Sequence, residues 1–179
     1  MSTLAETFPG SWTVRRARDA YLAENGFTVE AYADEWTSAS FFGIPLKVPN
    51  TKRHRWAIML HDLHHVATGF GTDLVGEAEI SAWELRGIRS LDLYVASIVA
   101  TATLAGAVLA PRRTLAAWRA ARAARSLFEL SPVDDAAAYE ALLDLTVGEL
   151  RARLGVAPEG IARAPRRLHD FAPKPAQAP

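Results

Sequence analysis

Apolar residues recur at helical spacing along most of this chain. Val14, Ala17 and Tyr21 lie on one face of a segment covering residues 13–25, and Gly26 follows it in the position that often ends a helix. No run of strict apolar and polar alternation is long enough to predict a strand. The pattern therefore predicts an all-α fold.

Capping and turn residues divide the chain into a bundle of about seven predicted helices. Their starts are expected near residues 13, 28, 50, 73, 90, 111 and 131. The second helix carries Val29, Tyr32 and Trp36 and is expected to end near Gly43, where prolines begin an extended connector. The last helix is predicted to begin at a capping sequence over residues 131–134 and to end at Gly155.

The composition is that of one globular domain. The chain has 179 residues, of which 50% are hydrophobic and 22% are charged. We expect a single all-α domain over residues 1–156, with a metal-binding helical hairpin at about 52–87. Residues 157–179 are rich in Pro, Ala and charge and are predicted to form a disordered tail.

Charge and cysteine content exclude several classes of protein. The 20 Lys and Arg residues balance the 20 Asp and Glu residues, so nucleic acid is not an expected partner. With no cysteine, disulfides, thiolate metal sites and cysteine nucleophiles are excluded. Residues 1–9 resemble neither a secretory signal nor a transit peptide. The predicted location is the cytoplasm, with peripheral attachment to the inner face of the cell membrane as an alternative.

Three of the five histidines fall within residues 61–65. On a helix, His61 and His65 stack on one face, and Asp62 can converge on the same point. His64 points about 100° away from His65. An apolar helix that buries these groups without partners would lose several kcal/mol, so the pattern indicates a metal site, with a metal-free polar network as the alternative.

An antiparallel hairpin about Gly71 would add carboxylates to the cluster. Glu77 would face His65, and Glu84 would lie two turns further along the same face. The imidazoles of His61 and His65 and the carboxylates of Asp62 and Glu77 would bind one divalent metal ion. Zinc is expected, with iron, manganese or cobalt as alternatives. Glu84 and His64 are candidate catalytic groups for proton transfer, because Glu84 lies on the ligand face and His64 adjoins it.

The same motif resembles that of a known family. His61-Asp62-x-x-His65, followed after eleven residues by Glu77, is the signature of the ubiquinone (coenzyme Q) biosynthesis family usually called Coq-four. The similarity covers about residues 50–156. It includes Gly69, Thr72-Asp73, Gly76, Trp83-Glu84, Tyr139-Glu140 and the closing residues 150–155. Gly71 and Asp73 depart from the Pro and Asn that eukaryotic members tend to have.

The resemblance implies a metal-dependent carbon–carbon lyase that decarboxylates a polyprenylated 4-hydroxybenzoate-type ring, with or without oxidation. It implies His61, Asp62, His65 and Glu77 as the metal ligands. The implied partners are the prenylated quinone precursor, other quinone-biosynthesis proteins and a membrane surface. Two other functions stay open: a non-catalytic isoprenoid-binding scaffold and an HD-type metal-dependent phosphohydrolase. The phosphohydrolase fits poorly, because His54 lies on the same predicted helix as His61.

A long uncharged segment precedes a basic one. Residues 93–110 contain no charge and would form about 27 Å of helix. Their many small side chains favour a close-packed core helix with room for an isoprenoid chain over a membrane span. The arginines at 112, 113, 119, 122 and 125, with Trp118, fit a membrane surface or, alternatively, a solvated helix face. A homodimer also stays open.

Overall fold

The computed structural model describes residues 7–41, 44–131 and 135–161, which form a mainly helical single-domain bundle. Helix accounts for 69% and strand for 5%, so the all-α prediction is confirmed. The helices are α1 (Val14–Glu24), α2 (Lys52–Thr68), α3 (Leu74–Glu84), α4 (Leu93–Leu109), α5 (Pro111–Ala120), α6 (Leu127–Leu130), α7 (Ala136–Leu143) and α8 (Val147–Leu154). Short 3-10 segments occupy Glu30–Ala33, Leu85–Ser90 and Ala121–Ala123.

Side-chain caps begin the helices that frame the site. Thr13 accepts a hydrogen bond from a backbone N–H at the start of α1, and Asp73 and Asp92 do the same for α3 and α4. α2 begins one residue later than expected, because Thr51 rather than Asn50 is its cap. Gly69 ends α2 in the left-handed conformation, with φ of 78°.

The helix predicted over residues 28–43 is wrong. After the single turn at Glu30–Ala33, strand β1 (Trp36–Phe41) pairs antiparallel with strand β2 (Ile44–Pro49). Aromatic and β-branched residues favour this extended backbone, and the prolines of β2 are tolerated because a two-stranded sheet has only edge strands. Gly43, the predicted end of the helix, lies outside the described residues.

The last predicted helix is divided in two. Thr146 and Glu149 form a capping box that begins α8 afresh after α7, while α7 itself is capped by Asp135. Residues 132–134 of the predicted capping sequence are not among those described. The folded chain also continues beyond residue 156, since the Ile161 N–H donates to the Thr68 carbonyl at 2.7 Å. The rest of the predicted tail, residues 162–179, is likewise outside the described part.

The core is built around α2. Leu60, Leu63 and Ala67 of this helix are fully buried and belong to one cluster with Ile80 and Trp83 of α3. α3 also packs against α4 and α5 on its other side. This central position of α3 places one face of the helix toward α2 and the opposite face toward α4 and α5. None of the described helices is both long enough and apolar enough to cross a bilayer.

A close approach of α3 and α4 depends on Gly106. A Cβ atom at this position would lie 2.7 Å from Thr114 Oγ1 and would collide with the Ala78 side chain. We expect Gly106→Leu to lower the free energy of unfolding by about 3 kcal/mol, because the two helices must separate. Thr101→Leu, at an exposed position of α4, is expected to change it by less than about 0.5 kcal/mol. Denaturant titration measures both, and equal effects would contradict the close-packing argument.

Candidate metal centre

Three side chains from α2 and α3 bring ligand atoms to one point. His61 Nε2 lies 3.0 Å from His65 Nε2 and 3.3 Å from Glu77 Oε2. His65 Nε2 lies 3.5 Å from Glu77 Oε1. These atoms lie within 4.8 Å of one another and form a group that could hold a metal ion.

Local structure explains the convergence. His61 and His65 are one helical turn apart on α2, so their rings emerge from the same face. The left-handed Gly69 then reverses the chain, and Asp73 caps α3 so that Glu77 falls in its first turn. The predicted hairpin geometry, with Glu77 opposite His65, is therefore found.

Hydrogen bonds behind the two imidazoles fix which nitrogen of each ring carries the proton in the neutral form. His61 Nδ1 lies 2.9 Å from Glu84 Oε1, and His65 Nδ1 lies 2.8 Å from the Phe70 carbonyl oxygen. Both of these oxygens can only accept, so each Nδ1 is the donor. The Nε2 atoms of the neutral rings then carry lone pairs that point at each other and at a carboxylate. Metal-bound histidines have this arrangement.

The electrostatics of the group favour a cation at its centre. Burial alone would lower the pKa of His61, but Glu84 and Glu77 outweigh it and raise the pKa well above its usual value. Burial would likewise raise the pKa of Glu77, but His65 and His61 hold it far below its usual range. A proton or a metal ion is therefore stabilised between the imidazoles and the carboxylate.

Access to the group comes from the side of Glu77. The side chain of Glu77 is 38% exposed and that of His61 is 24% exposed, whereas His65 is buried. Three protein ligands at a partly open position would leave coordination positions for water or substrate, as in catalytic rather than structural zinc sites.

Asp62, the fourth predicted ligand, lies outside the three-residue group. Its carboxylate accepts a hydrogen bond of 2.5 Å from the Tyr32 hydroxyl, and burial raises its pKa. Tyr21 stacks on the His65 ring with 5.2 Å between centroids. Neither tyrosine was identified from the sequence as a site residue: Tyr32 was assigned to a helix that does not form, and Tyr21 only to a buried helical face. The ligand role of Asp62 stays a prediction that this geometry does not favour.

His64 faces away from the ligand atoms, as its helical position predicts. Its ring is fully buried, its Nδ1 lies 2.7 Å from Glu84 Oε1, and its Nε2 accepts from the Leu127 N–H at 2.8 Å. Both ring nitrogens are therefore occupied by protein groups. Proton transfer by His64 stays a prediction that this geometry does not favour, because neither ring nitrogen is free to reach a substrate.

Glu84 contacts both His61, a candidate metal ligand, and the buried His64. Its Oε1 accepts from the Nδ1–H groups of both His61 and His64, while its Oε2 is buried without a hydrogen-bond partner among the described residues. Burial would raise the pKa of Glu84, but the imidazoles, His61 first, hold it at about 2. Glu84 is therefore ionised at neutral pH. Its contacts favour a role in orienting His61, and proton transfer by Glu84 stays a prediction.

No family model, curated protein or solved structure matches this chain. A pair of imidazoles with a carboxylate and no thiolate binds zinc, iron, manganese or cobalt more readily than magnesium or calcium, which prefer an all-oxygen set.

Proposed function

We propose that this chain binds one divalent metal ion through His61, His65 and Glu77 and decarboxylates a polyprenylated 4-hydroxybenzoate-type ring in ubiquinone biosynthesis. The observation that carries the metal site is the convergence of two Nε2 lone pairs and one carboxylate, with both Nδ1–H groups bonded elsewhere. The reaction is proposed from the resemblance of this motif to the Coq-four family.

The residues fit such an ion in donor type and spacing. Two imidazoles bound to one tetrahedral ion at about 2.0–2.1 Å have nitrogens about 3.3 Å apart. His61 Nε2 and His65 Nε2 are 3.0 Å apart, and Glu77 supplies an oxygen to the same point. Zinc is the first expectation for this set, with iron, manganese or cobalt as the alternatives.

In the proposed reaction, a proton adds to the ring carbon that bears the carboxylate, the bond from this carbon to the carboxylate breaks, and carbon dioxide leaves. The electron pair of the broken bond returns to the ring, which the hydroxyl group opposite the carboxylate makes electron-rich. A bound metal ion would act as a Lewis acid that orients the substrate and stabilises its negative charge. Glu84 keeps His61 oriented with Nε2 toward this point, and the exposed edge of Glu77 marks the side from which substrate enters.

An apolar groove that an isoprenoid chain could occupy lies on the far side of α3 from the metal ligands. A cavity of about 200 Å³ lies between α4 and α5 and is lined by Ala82, Thr103, Ala107, Pro111, Thr114, Leu115 and Trp118. Ala82 is five residues beyond Glu77, which rotates it about 140° around α3 from the ligand face. A prenyl chain in this groove would therefore not lead directly to the metal centre.

Release of labelled carbon dioxide from a carboxyl-labelled prenylated 4-hydroxybenzoate tests the proposal. We expect metal-loaded protein to release it, metal-free protein and Glu77→Ala to lose at least about 100-fold in rate, and Glu24→Ala, an exposed control on α1, to be unchanged. Equal release with and without air indicates simple decarboxylation, whereas a requirement for air indicates that dioxygen is the oxidant.

No release under either condition would overturn the proposed reaction and favour the isoprenoid-binding scaffold, in which Glu77→Ala would instead impair assembly with other quinone-biosynthesis proteins. The phosphohydrolase alternative gains no support. A phosphohydrolase of this type would need His54 as an additional ligand. The His54 ring instead packs against the Tyr94 ring, with 5.5 Å between centroids, and is not part of the metal-binding group.

A further inference from the structure

The end of α2 is completed by residues from the far end of the chain. The last four carbonyl groups of an α-helix have no N–H partner within the helix, and in α2 these include the carbonyls of Ala67 and Thr68. The Arg151 Nε–H donates to the Ala67 carbonyl oxygen at 3.0 Å. The Ile161 N–H donates to the Thr68 carbonyl oxygen at 2.7 Å. α8 and the segment after it therefore hold the end of the helix that carries two of the candidate ligands.

Arg151 also holds the segment of chain that follows α8. Its Nη1–H donates to the Pro158 carbonyl oxygen at 2.7 Å, so one guanidinium joins α2 to residues 156–161, which we call the strap. Gly160 brings the strap close to α2. Its φ is 85°, and a Cβ atom at this position would lie 2.9 Å from the Thr68 carbonyl oxygen. Glycine is the residue that combines this backbone conformation with so close an approach.

Arg151 is an unusual residue for a protein core. It is 1% exposed, and the acceptors of its two hydrogen bonds are backbone carbonyls rather than carboxylates. Its Nη2 group has no hydrogen-bond partner among the described residues, and burial lowers its pKa. A buried charge of this kind is costly, although the negative end of the α2 dipole offsets part of the cost. Apolar residues often give equal stability at such positions, so the arginine is better explained by the geometry that it fixes.

The groups that Arg151 and the strap hold lie directly beside a candidate metal ligand. Ala67 and Thr68 follow His65 by two and three residues on α2. Phe70 comes two residues later, and its carbonyl oxygen lies 2.8 Å from His65 Nδ1. A shift of the end of α2 would therefore move the imidazole and the oxygen that orients it. Hydrogen bonds of this kind set the orientation of metal-bound histidines.

We infer that Arg151 and the strap are positioning elements for the metal centre, because they fix the end of α2 so that His65 Nε2 stays aimed at the other two ligands. The inference rests on the proposed metal centre and adds to it residues that lie outside the helical hairpin. The hydrogen bonds of Arg151 go to backbone carbonyls, so it acts through the position of the helix and not on the ion.

Cobalt binding by Gly160→Ala tests the inference in the full chain. The added methyl group collides with the Thr68 carbonyl oxygen and must push the strap away from α2. We expect the cobalt affinity of the folded protein, measured by competition with a chelator, to fall by about tenfold or more. Gly26→Ala is the matched control and should bind cobalt like the unchanged protein. Gly26 has a similar φ of 74°, but a Cβ atom there would meet nothing within 4 Å beyond its chain neighbours.

Substitutions of Arg151 separate positioning from stability. Arg151→Met removes both hydrogen bonds and the charge, and it should weaken cobalt affinity at least as much as Gly160→Ala does. Arg151→Lys keeps the charge but not the planar fork, so it should recover part of the affinity. Arg153→Met changes an exposed arginine of α8 and should leave the affinity unchanged. A purely structural role would lower the unfolding free energy of the Arg151 variants without changing the cobalt affinity of the folded protein.

Hydrogen exchange in metal-free protein gives a readout that does not depend on the ion. The Gly69 N–H donates to the His65 carbonyl oxygen at 2.9 Å in the last turn of α2. Its exchange should be faster in Gly160→Ala than in Gly26→Ala, because the end of the helix opens more readily without the strap.

Equal cobalt affinities of Gly160→Ala and Gly26→Ala would overturn the inference, whether or not exchange at Gly69 differs, because the strap would then not position the ligand. Absence of cobalt binding by the unchanged protein would instead overturn the proposed metal centre. In that case, equal exchange at Gly69 in the two variants would also contradict the hold of the strap on α2, and faster exchange in Gly160→Ala would support it.

Discussion

Replacing His61 or Glu77 with alanine is expected to abolish stoichiometric metal binding. Each change removes one of the three convergent ligand atoms, and it leaves the other two at an incomplete site. Removing a residue that hydrogen-bonds to a metal ligand already weakens metal affinity by about 10–100-fold. Removing a ligand itself should therefore weaken the affinity by more than about 100-fold. Elemental analysis after dialysis and competition with a coloured chelator measure the stoichiometry and the affinity.

Asp62→Asn distinguishes a three-ligand from a four-ligand site. The Asp62 carboxylate accepts from Tyr32 and lies outside the convergent group, so this variant should keep its metal within a few-fold in affinity. A loss as large as that of Glu77→Ala would return Asp62 to the ligand set. Failure of the unchanged protein to bind any transition metal would contradict the site altogether.

The pH dependence of metal binding follows from the same geometry. Glu84 and Glu77 raise the pKa of His61 well above 6.5, so a proton competes with the metal for Nε2 already above that pH. Metal affinity should therefore rise with pH through and beyond neutrality. An affinity that is constant from pH 6 to pH 8 would show that His61 Nε2 is not a ligand.

Helical periodicity predicted most of the ligand group because the relevant contacts are local or follow from a hairpin. His61 and His65 are one turn apart, and the turn at Gly69 determines which residue of α3 faces them. The same reasoning does not determine the partner of Asp62. This residue follows His61 directly, so its side chain points about 100° away around the helix axis, and its partner depends on tertiary structure. That partner is Tyr32, which lies in a single 3-10 turn where the sequence pattern predicted a long helix.

The hairpin of β1 and β2 could not be predicted by periodicity. Val29, Tyr32 and Trp36 have helical spacing, but the segment from Trp36 onward is extended and pairs with a strand that contains two prolines. Strand preference depends on the neighbouring strand and on burial more than helix preference does, so a short isolated hairpin gives little signal. Periodicity also does not predict that His61 and His64 share one oxygen of Glu84, or that His64 bonds to the start of α6, because these contacts depend on how three helices pack.

Removing the carboxylate of Glu84 is expected to destabilise the protein more than any other single change in the site. Glu84→Ala would leave the Nδ1–H groups of His61 and His64 without their acceptor in a buried position. Breaking a buried charged pair by removing one partner costs about 3–5 kcal/mol in the free energy of unfolding. The same change should weaken metal affinity by about 10–100-fold, because His61 loses the group that orients it.

Glu84→Gln is the informative companion, since its amide oxygen can still accept from both imidazoles. We expect it to recover part of the stability and much of the metal affinity, and to give a cobalt absorption spectrum closer to that of the unchanged protein than Glu84→Ala does. Equal metal affinities of Glu84→Gln and Glu84→Ala would contradict the view that Glu84 orients His61 by accepting its hydrogen bond.

Acid titration separates the charge of Glu84 from its hydrogen bonds. The folded-state pKa of about 2 lies below the ordinary value of 4.5, so the ionised carboxylate stabilises the fold above pH 4.5 and loses this contribution as the pH falls toward 2. In metal-free protein the shift corresponds to about 3 kcal/mol. Glu84→Gln has no carboxylate to protonate and does not lose this stabilisation. The unchanged protein should therefore lose about 3 kcal/mol of its unfolding free energy relative to this variant between pH 4.5 and pH 2. A difference that stays constant from pH 5 to pH 2 would show that the charge of Glu84 contributes nothing to the stability of the fold.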